Sequence, residues 1–191
     1  MNTRPFALAA SLLLGVAAVT GCSSDGSSSS GSSSNSSTDD GLTMDQRANN
    51  TVSQFRAEDP SLSKFFDSAA GYAVFPRIAT GAFIVGGSNG HGVLFEGGRI
   101  IGDVEVTGGS IGLQAGGQTF SQIIFFRTSQ ELNRFKSGNF EFDGRASAVA
   151  VRAGGAATAD YTNGVAVFAF NPTGLMAQAS IGGQKFSFRQ R

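Results

Sequence analysis

Between Gly81 and Phe126 the apolar residues come in short runs broken by paired glycines, at Gly86-Gly87, Gly97-Gly98, Gly108-Gly109 and Gly116-Gly117. A helix needs apolar positions on one stripe at a spacing of three to four, whereas short runs between turn residues suit antiparallel strands. This stretch is expected to form the centre of a curved sheet. Glycine weakens a strand, so it is kept for turns, bulges or places where something approaches the backbone closely. Turns are expected at Gly86-Gly87, Ser88-Asn89-Gly90, Gly97-Gly98 and Gly108-Gly109. From Ser110 to Gln118 the glycines alternate inside a strand instead, with Ile111, Leu113 and Ala115 on one face and Ser110, Gly112, Gln114 and Gly116 on the other.

Neighbouring segments read the same way. Arg99 to Val106 sets Ile100, Val104 and Val106 against Arg99, Asp103 and Glu105, which gives that strand a wet face. Phe120 to Phe126 is apolar on both faces and should be central. Ala70 to Pro76 is extended, with Pro76 ending the run. The last third returns to strands at 140–143, 145–153, 164–170, 175–181 and 184–189, with turns at Asn171-Pro172-Thr173-Gly174 and Gly182-Gly183. Ser110-Ile111-Gly112 with Gly116 to Ser121 is echoed by Ser180 to Ser187, which suggests two similar hairpins.

Three helices are expected. Thr43 and Gln46 have capping-box spacing, and Met44, Ala48, Val52 and Phe55 follow on one stripe to about Ala57. Asp59-Pro60 places an N-cap before proline, and Leu62, Phe65, Phe66, Ala69 and Ala70 continue a second short helix. Thr128 and Glu131 form a second capping box, with Leu132 and Phe135 before a stop at Gly138. With 17 Phe against 2 Tyr and no Trp, the aromatic residues should fill the core. The expected fold class is α+β: a strongly curved antiparallel β-sheet or half-barrel with two N-terminal helices and one mid-chain helix.

The N-terminal region reads as an export signal. Met1 to Arg4 is positive and Phe6 to Val19 is apolar or small, too short for a spanning helix of about 20 residues. Val19-Thr20-Gly21-Cys22 resembles the lipobox of bacterial lipoproteins, in which the signal is cut before a cysteine that carries diacylglycerol. Cys22 is the chain's one cysteine, so acylation accounts for a thiol without an intramolecular partner. The expected organisation is a signal peptide at 1–21, a lipidated Cys22 with a Ser/Gly-rich tether to residue 40, and one domain at 41–191. Tether residues Ser23 to Asp40 lack apolar side chains able to offset ordering, and span about 20 to 25 Å on average. Anchored by more than one acyl chain, at about 0.8 kcal/mol per buried methylene, the protein would stay on its membrane. Ser23 after the cysteine resembles the sorting preference for the outer membrane, which places the domain on its periplasmic face.

Charge and motifs narrow the function. The chain carries 14 basic and 14 acidic residues, so it has no concentrated positive field for nucleic acid. Gly108-Gly109-Ser110-Ile111-Gly112 fits the Gly-x-Ser-x-Gly pattern of hydrolases. That chemistry needs a helix after the turn and a later histidine, and His91, the chain's one histidine, comes earlier. His91 stands at an expected turn with no second histidine, so neither a metal site nor a catalytic pair is assembled. Gly86 to Gly92 lacks the Lys-Ser/Thr ending of a phosphate loop. Gln114, Gln118, Gln178 and Gln184 recur beside glycines, either as cross-strand hydrogen-bond partners or as ligands of a headgroup in a shallow cleft. Phe65 and Phe66 beside Lys64 form either a membrane-inserting edge or a pair packed under the sheet. Lys185, Arg189 and Arg191 make a modest basic end.

Several of these residues resemble the SYLF domain, a family found in bacterial lipoproteins and eukaryotic membrane-trafficking proteins. The resemblance runs from Ala70-Gly71-Tyr72-Ala73-Val74-Phe75-Pro76 through Gly81-Ala82-Phe83, Gly86-Gly87 and His91-Gly92-Val93 to Gly116-Gly117-Gln118 with Ser121, Phe125 and Phe126. It continues with Phe135, Gly138, Phe140, Ala156-Ala157, Gly174 to Ser180, and Gly183-Gln184-Lys185-Phe186. It implies a lipid-binding domain, with phosphoinositide binding in eukaryotic members and actin binding in yeast ones. The basic amphipathic helix of eukaryotic members is not matched, since Thr43 to Ala57 carries only Arg47 and Arg56. The expectation is therefore an exported, lipid-anchored protein that binds lipid or the membrane surface without catalysis, cofactor or metal. Phe65, Phe66, Arg77 and Lys185 are its candidate lipid contacts and Cys22 its attachment site. The alternative is a scaffolding lipoprotein that binds another envelope protein through a sheet edge or its Gly-rich face.

Overall fold

Both capping residues read from the sequence start helices. In a computed structural model, which describes residues 41–81, 86–110, 118–138, 140, 149–171 and 183–191, Thr43 accepts a hydrogen bond from the Gln46 amide. The Gln46 side chain in turn accepts from the Thr43 amide at 2.8 Å. Helix α1 runs Met44–Glu58 and buries Ala48, Thr51 and Phe55 along one stripe. Thr128 caps α3, Ser129–Lys136, but through the Gln130 amide, while its hydroxyl donates to the Glu131 carboxylate. Between them Asp59 caps a 3₁₀ turn, Pro60–Leu62, which leads into the short α2, Ser63–Ser68. Ala69 and Ala70, expected in that helix, lie beyond it, because Ala69 has already turned extended at ψ 140.

Asp59 does more than cap a turn. It is 1 % exposed, and its carboxylate accepts from the amide and hydroxyl of Ser61 and from the amides of Gly154 and Ala156, at 2.6–3.3 Å. Burial pushes the carboxyl up, but those hydrogen bonds outweigh it and hold the group below the usual carboxylate range. Asp59→Ala should cost about 2 to 3 kcal/mol, since it strips buried amides of a charged acceptor. A folded pKa depressed below the unfolded value of about 3.9 stabilises fully above that pH. That contribution is lost as pH falls through the folded value, so acid melts of the wild type should steepen below about pH 4 relative to Asp59→Asn.

The strands are β1 Gly71–Gly81, β2 Gly86–Glu96, β3 Arg99–Ser110, β4 Gln118–Phe126, β5 Val149–Ala150, β6 Val165–Phe170 and β7 Gln184–Gln190. Their order is β5-β6-β4-β1-β2-β3-β7, antiparallel throughout except for the two-residue parallel pairing of β5 with β6. Among the described residues the sheet is not closed, so the α+β class with a curved antiparallel sheet holds. β4 is paired on both sides, as its two apolar faces required. Gly97-Gly98 form the β2–β3 turn, with φ of +56° and +76°, the left-handed pair that a two-residue hairpin favours.

Other local expectations give way. Gly86 to Gly90 make no turn: they open β2 and pair with Ser110 to Val106. Gly108-Gly109 likewise belong to β3, opposite Ser88 and Gly87. Pro76 does not end β1 but sits where the register slips in both flanking ladders, a bulge that tolerates a residue without an N–H. A second slip, between Leu94 and Phe95 opposite Gly102 and Ile100, reverses the alternation of β3. Ile100 therefore packs on the opposite face from Val104 and Val106. The expected strand 145–153 shows only Val149–Ala150 among its described residues. The expected strands at 111–117, 141–143 and 175–181 lie outside the described residues.

Each sheet face has its own core. On the outer face α1, the 3₁₀ turn and α2 cover Val74, Val93, Ile123, Phe125 and Phe168 with Phe55, Leu62 and Phe65. On the inner face α3 brings Leu132 and Phe135 against Phe75, Leu94, Ile124, Phe126 and Phe186. Phe186 of β7 lies 5.8 Å from Phe75 of β1, ring centre to ring centre. In a flat sheet those strands, three steps apart, would stand about 14 Å from each other. The sheet is curled so that β7 comes back towards β1 over the inner core. All described elements and both cores lie within one compact unit, Ser36–Arg191.

Candidate functional site

The curl brings two glutamines together in the inner core. Gln122 of β4 and Gln184 of β7, 0 % and 5 % exposed, exchange amide hydrogen bonds at 3.2 and 3.5 Å across the concave face. They are four strand steps apart, so this is a tie across the half-barrel and not a cross-strand pair of neighbours. Gln184 is one of the glutamines that recur beside glycines, and Gln122 is not. The signal for Gln122 is present all the same: it is the polar member of the inward series Phe120, Ile124, Phe126. Gln122→Ala should destabilise by about 2 kcal/mol by leaving Gln184 buried and unsatisfied, whereas Gln122→Leu with Gln184→Leu should be nearly neutral, a contrast read from denaturant melts. Gln118 lies on β4 opposite Thr80, while Gln114 and Gln178 lie outside the described residues.

The four candidate lipid contacts separate into two pairs. Phe65 is 1 % exposed, with its ring 4.8 Å from Phe168 and 5.6 Å from Phe125. Phe66 is half-buried on Tyr72 and Phe125, with the Arg56 guanidinium 4.1 Å above its ring. Arg77 of β1 and Lys185 of β7 are both exposed, remote from α2 in the strand sequence but on one sheet face. Directly opposed residues of an antiparallel ladder share a face, and two rows cross the sheet here: Arg77–His91–Glu105–Ser187 and Ala79–Asn89–Thr107–Lys185. The same face carries Val74 and Val93 farther along, under the helices, so it is the outer face.

Along these rows His91 Nδ1 stands 3.2 Å from Glu105 Oε1, on a strand and not in the turn expected of it. At the row's margin Asp103 receives Arg191 at 2.7 Å and Arg189 at 3.3 Å, and Arg191 also reaches Asp45 of α1 at 2.8 Å. The hydrogen bond from Arg191 leads the causes that hold the Asp103 carboxyl below its ordinary range. Ser110 ends β3 opposite Gly86. Among the described residues no group of three His, Cys, Asp or Glu could hold a metal, and no helix is long and apolar enough to cross a membrane. Cys22, the signal segment and the tether lie outside the described residues.

A curled antiparallel sheet with helices on both faces and a broad polar area outside defines the class as an α+β domain that presents a sheet surface. Residues 107–191 match the family described as Ysc84, Las17-binding protein actin regulator. Over those residues the chain is similar to this family, also called SYLF, in keeping with the resemblance of the residue pattern. The matched span holds only the end of β3, from Thr107, then β4, α3 and β5–β7, while the similarities read at Ala70 to Pro76 and Gly81 to Val93 fall before it. The chain is also similar to "Beta cell expansion factor A" of Aeromonas veronii, 26 % identical over 148 residues. That alignment covers 76 % of this chain and 56 % of the relative, so the chain spans little more than half of that protein's length.

Proposed function

We propose that this is an envelope lipoprotein, anchored through acylated Cys22, whose SYLF domain binds lipid at the membrane surface without catalysis. The observation that carries the reading is the family match over residues 107–191, since lipid binding is what the SYLF resemblance implies. The lipobox pattern at Val19 to Cys22 and the Ser/Gly tether after it supply the anchor in the same reading. Metabolic labelling with palmitate should mark the chain and be abolished by Cys22→Ser. Co-sedimentation of residues 36–191 with vesicles of phosphatidylethanolamine and phosphatidylglycerol tests the domain itself. Recovery wholly in the supernatant at every composition would contradict the proposal.

A further inference from the structure

We infer that residues 152–161 form a strap that opens and closes across α2 while the sheet stays folded, and that Asp59 and Lys64 are its two-point latch. The strap runs between two fixed ends. Before it, the Val151 amide donates to the Ala169 carbonyl of β6 at 2.8 Å. After it, Thr162 and Val165 exchange amide-to-carbonyl bonds at 2.9 and 3.0 Å. Within it the backbone makes single turns, with the amides of Gly155, Ala157 and Ala159 donating to the carbonyls of Arg152, Gly154 and Ala156.

Little apolar area holds this strap down. Between Arg152 and Tyr161 the side chains are those of alanine, glycine, threonine and aspartate, and Ala156 is the buried one, at 1 % exposure. A segment that buries so few apolar groups opens locally at a fraction of the global unfolding free energy. Closure therefore rests on polar contacts, and two side chains from the 59–64 segment supply them. Asp59 accepts from the amides of Gly154 at 3.3 Å and Ala156 at 2.7 Å. Lys64 donates to the carbonyls of Ala157 at 3.0 Å and Ala159 at 2.8 Å. The strap thus presents donors to the carboxylate and then acceptors to the ammonium, and each bond is assisted by a charge.

Both halves of the latch are fixed on the side of the body. Asp59 is also held by the amide and hydroxyl of Ser61, at 3.0 and 2.6 Å, and those bonds do not involve the strap. Lys64 precedes Phe65, whose ring is packed on Phe125 and Phe168. Opening therefore releases backbone groups of the strap and leaves α2 in place. It lifts Ala156 from the outer core and draws Tyr161 away from the Phe65 ring, 5.2 Å off in the closed form. Water then reaches the edge of the outer core while the inner core is undisturbed. Residues 152–161 are in this account a movable cover over α2, and the inference does not depend on the lipid-binding reading.

Trypsin reports the open state. Arg152 is exposed, but its carbonyl is closed in the turn by the Gly155 amide at 2.8 Å, and a protease needs that turn undone. The full chain is digested at low protease, where cleavage follows the population of the open form, and the cut between Arg152 and Ala153 is timed by mass spectrometry. Lys64→Met, at an exposed position, should speed that cut at least about fivefold, and Asp59→Asn at least about tenfold, through loss of charge-assisted hydrogen bonds. Gln122→Ala, which weakens the domain from the inner core, should change it less than about twofold. Thermal melts establish that each variant is folded at the temperature of digestion. Cleavage that rises in Gln122→Ala as much as in the latch variants would mean that the strap opens only with the whole domain, and overturns the inference. Cleavage unchanged in both Lys64→Met and Asp59→Asn overturns it as well.

Discussion

Phe65→Ala is expected to destabilise the domain by about 4 kcal/mol, the range for removing a buried phenylalanine without collapse of the site. The ring meets Phe125, Phe168 and Tyr161 at 5.6, 4.8 and 5.2 Å, so this side chain joins α2 to both β4 and β6. Its aromatic partners sit on separate elements and cannot close the gap together. A loss of that size should lower the melting temperature by about 12 °C in a domain of this length. The variant that stays folded at low temperature should still bind vesicles like the wild type, because the ring is buried between α2 and the sheet and not at the surface. Weakened binding with an unchanged melting temperature would show instead that Phe65 leaves the core to meet lipid.

Gly92→Ala should cost about 3 kcal/mol, near the upper end for overpacking, because the contact is with backbone. A methyl group there would lie 2.1 Å from the Val74 carbonyl oxygen and 3.0 Å from the Phe75 ring. Val74 is the last paired residue before the slip at Pro76, so β1 could yield only by giving up the bulge that lets the sheet curl. Gly97→Ala meets no neighbouring atom but has φ of +56°, so it should cost about 1 kcal/mol through backbone strain alone. Equilibrium denaturation of the two variants should therefore rank Gly92→Ala well below Gly97→Ala. The reverse order would mean that the curl does not depend on the β1–β2 contact.

These glycines show where a sequence reading succeeds and where it stops. Glycine marks both tight turns and close approaches, and residue type does not separate the two uses. Gly97-Gly98 was legible because a pair of apolar strands flanks it with nothing else between. Gly90 and Gly92 sit in a strand because an added carbon would meet Ile78 or the Val74 backbone, contacts made across the ladder by the neighbouring strand β1 and not by residues adjacent in the chain. The bulge at Pro76 was hidden for a related reason, since proline ends an ordinary strand and persists only where the register slips. The helix caps were legible because they are local. The Gln122–Gln184 tie was not, because it depends on a curl that joins strands four places apart, and nothing within β4 or β7 alone specifies that curl. Arg77 and Lys185 lie far apart in the sequence, and only the strand register puts them on one face.

The measurement that most directly tests the central claim is the partition of residues 36–191 onto phosphatidylglycerol-containing vesicles as salt is raised from about 0.01 M to about 0.3 M, a range over which the screening length falls from about 30 Å to below 10 Å. Binding at the low end that falls steadily with salt, and is absent from vesicles of phosphatidylcholine alone, is the predicted result. No association at any salt concentration, or association indifferent both to salt and to the anionic lipid, would contradict it.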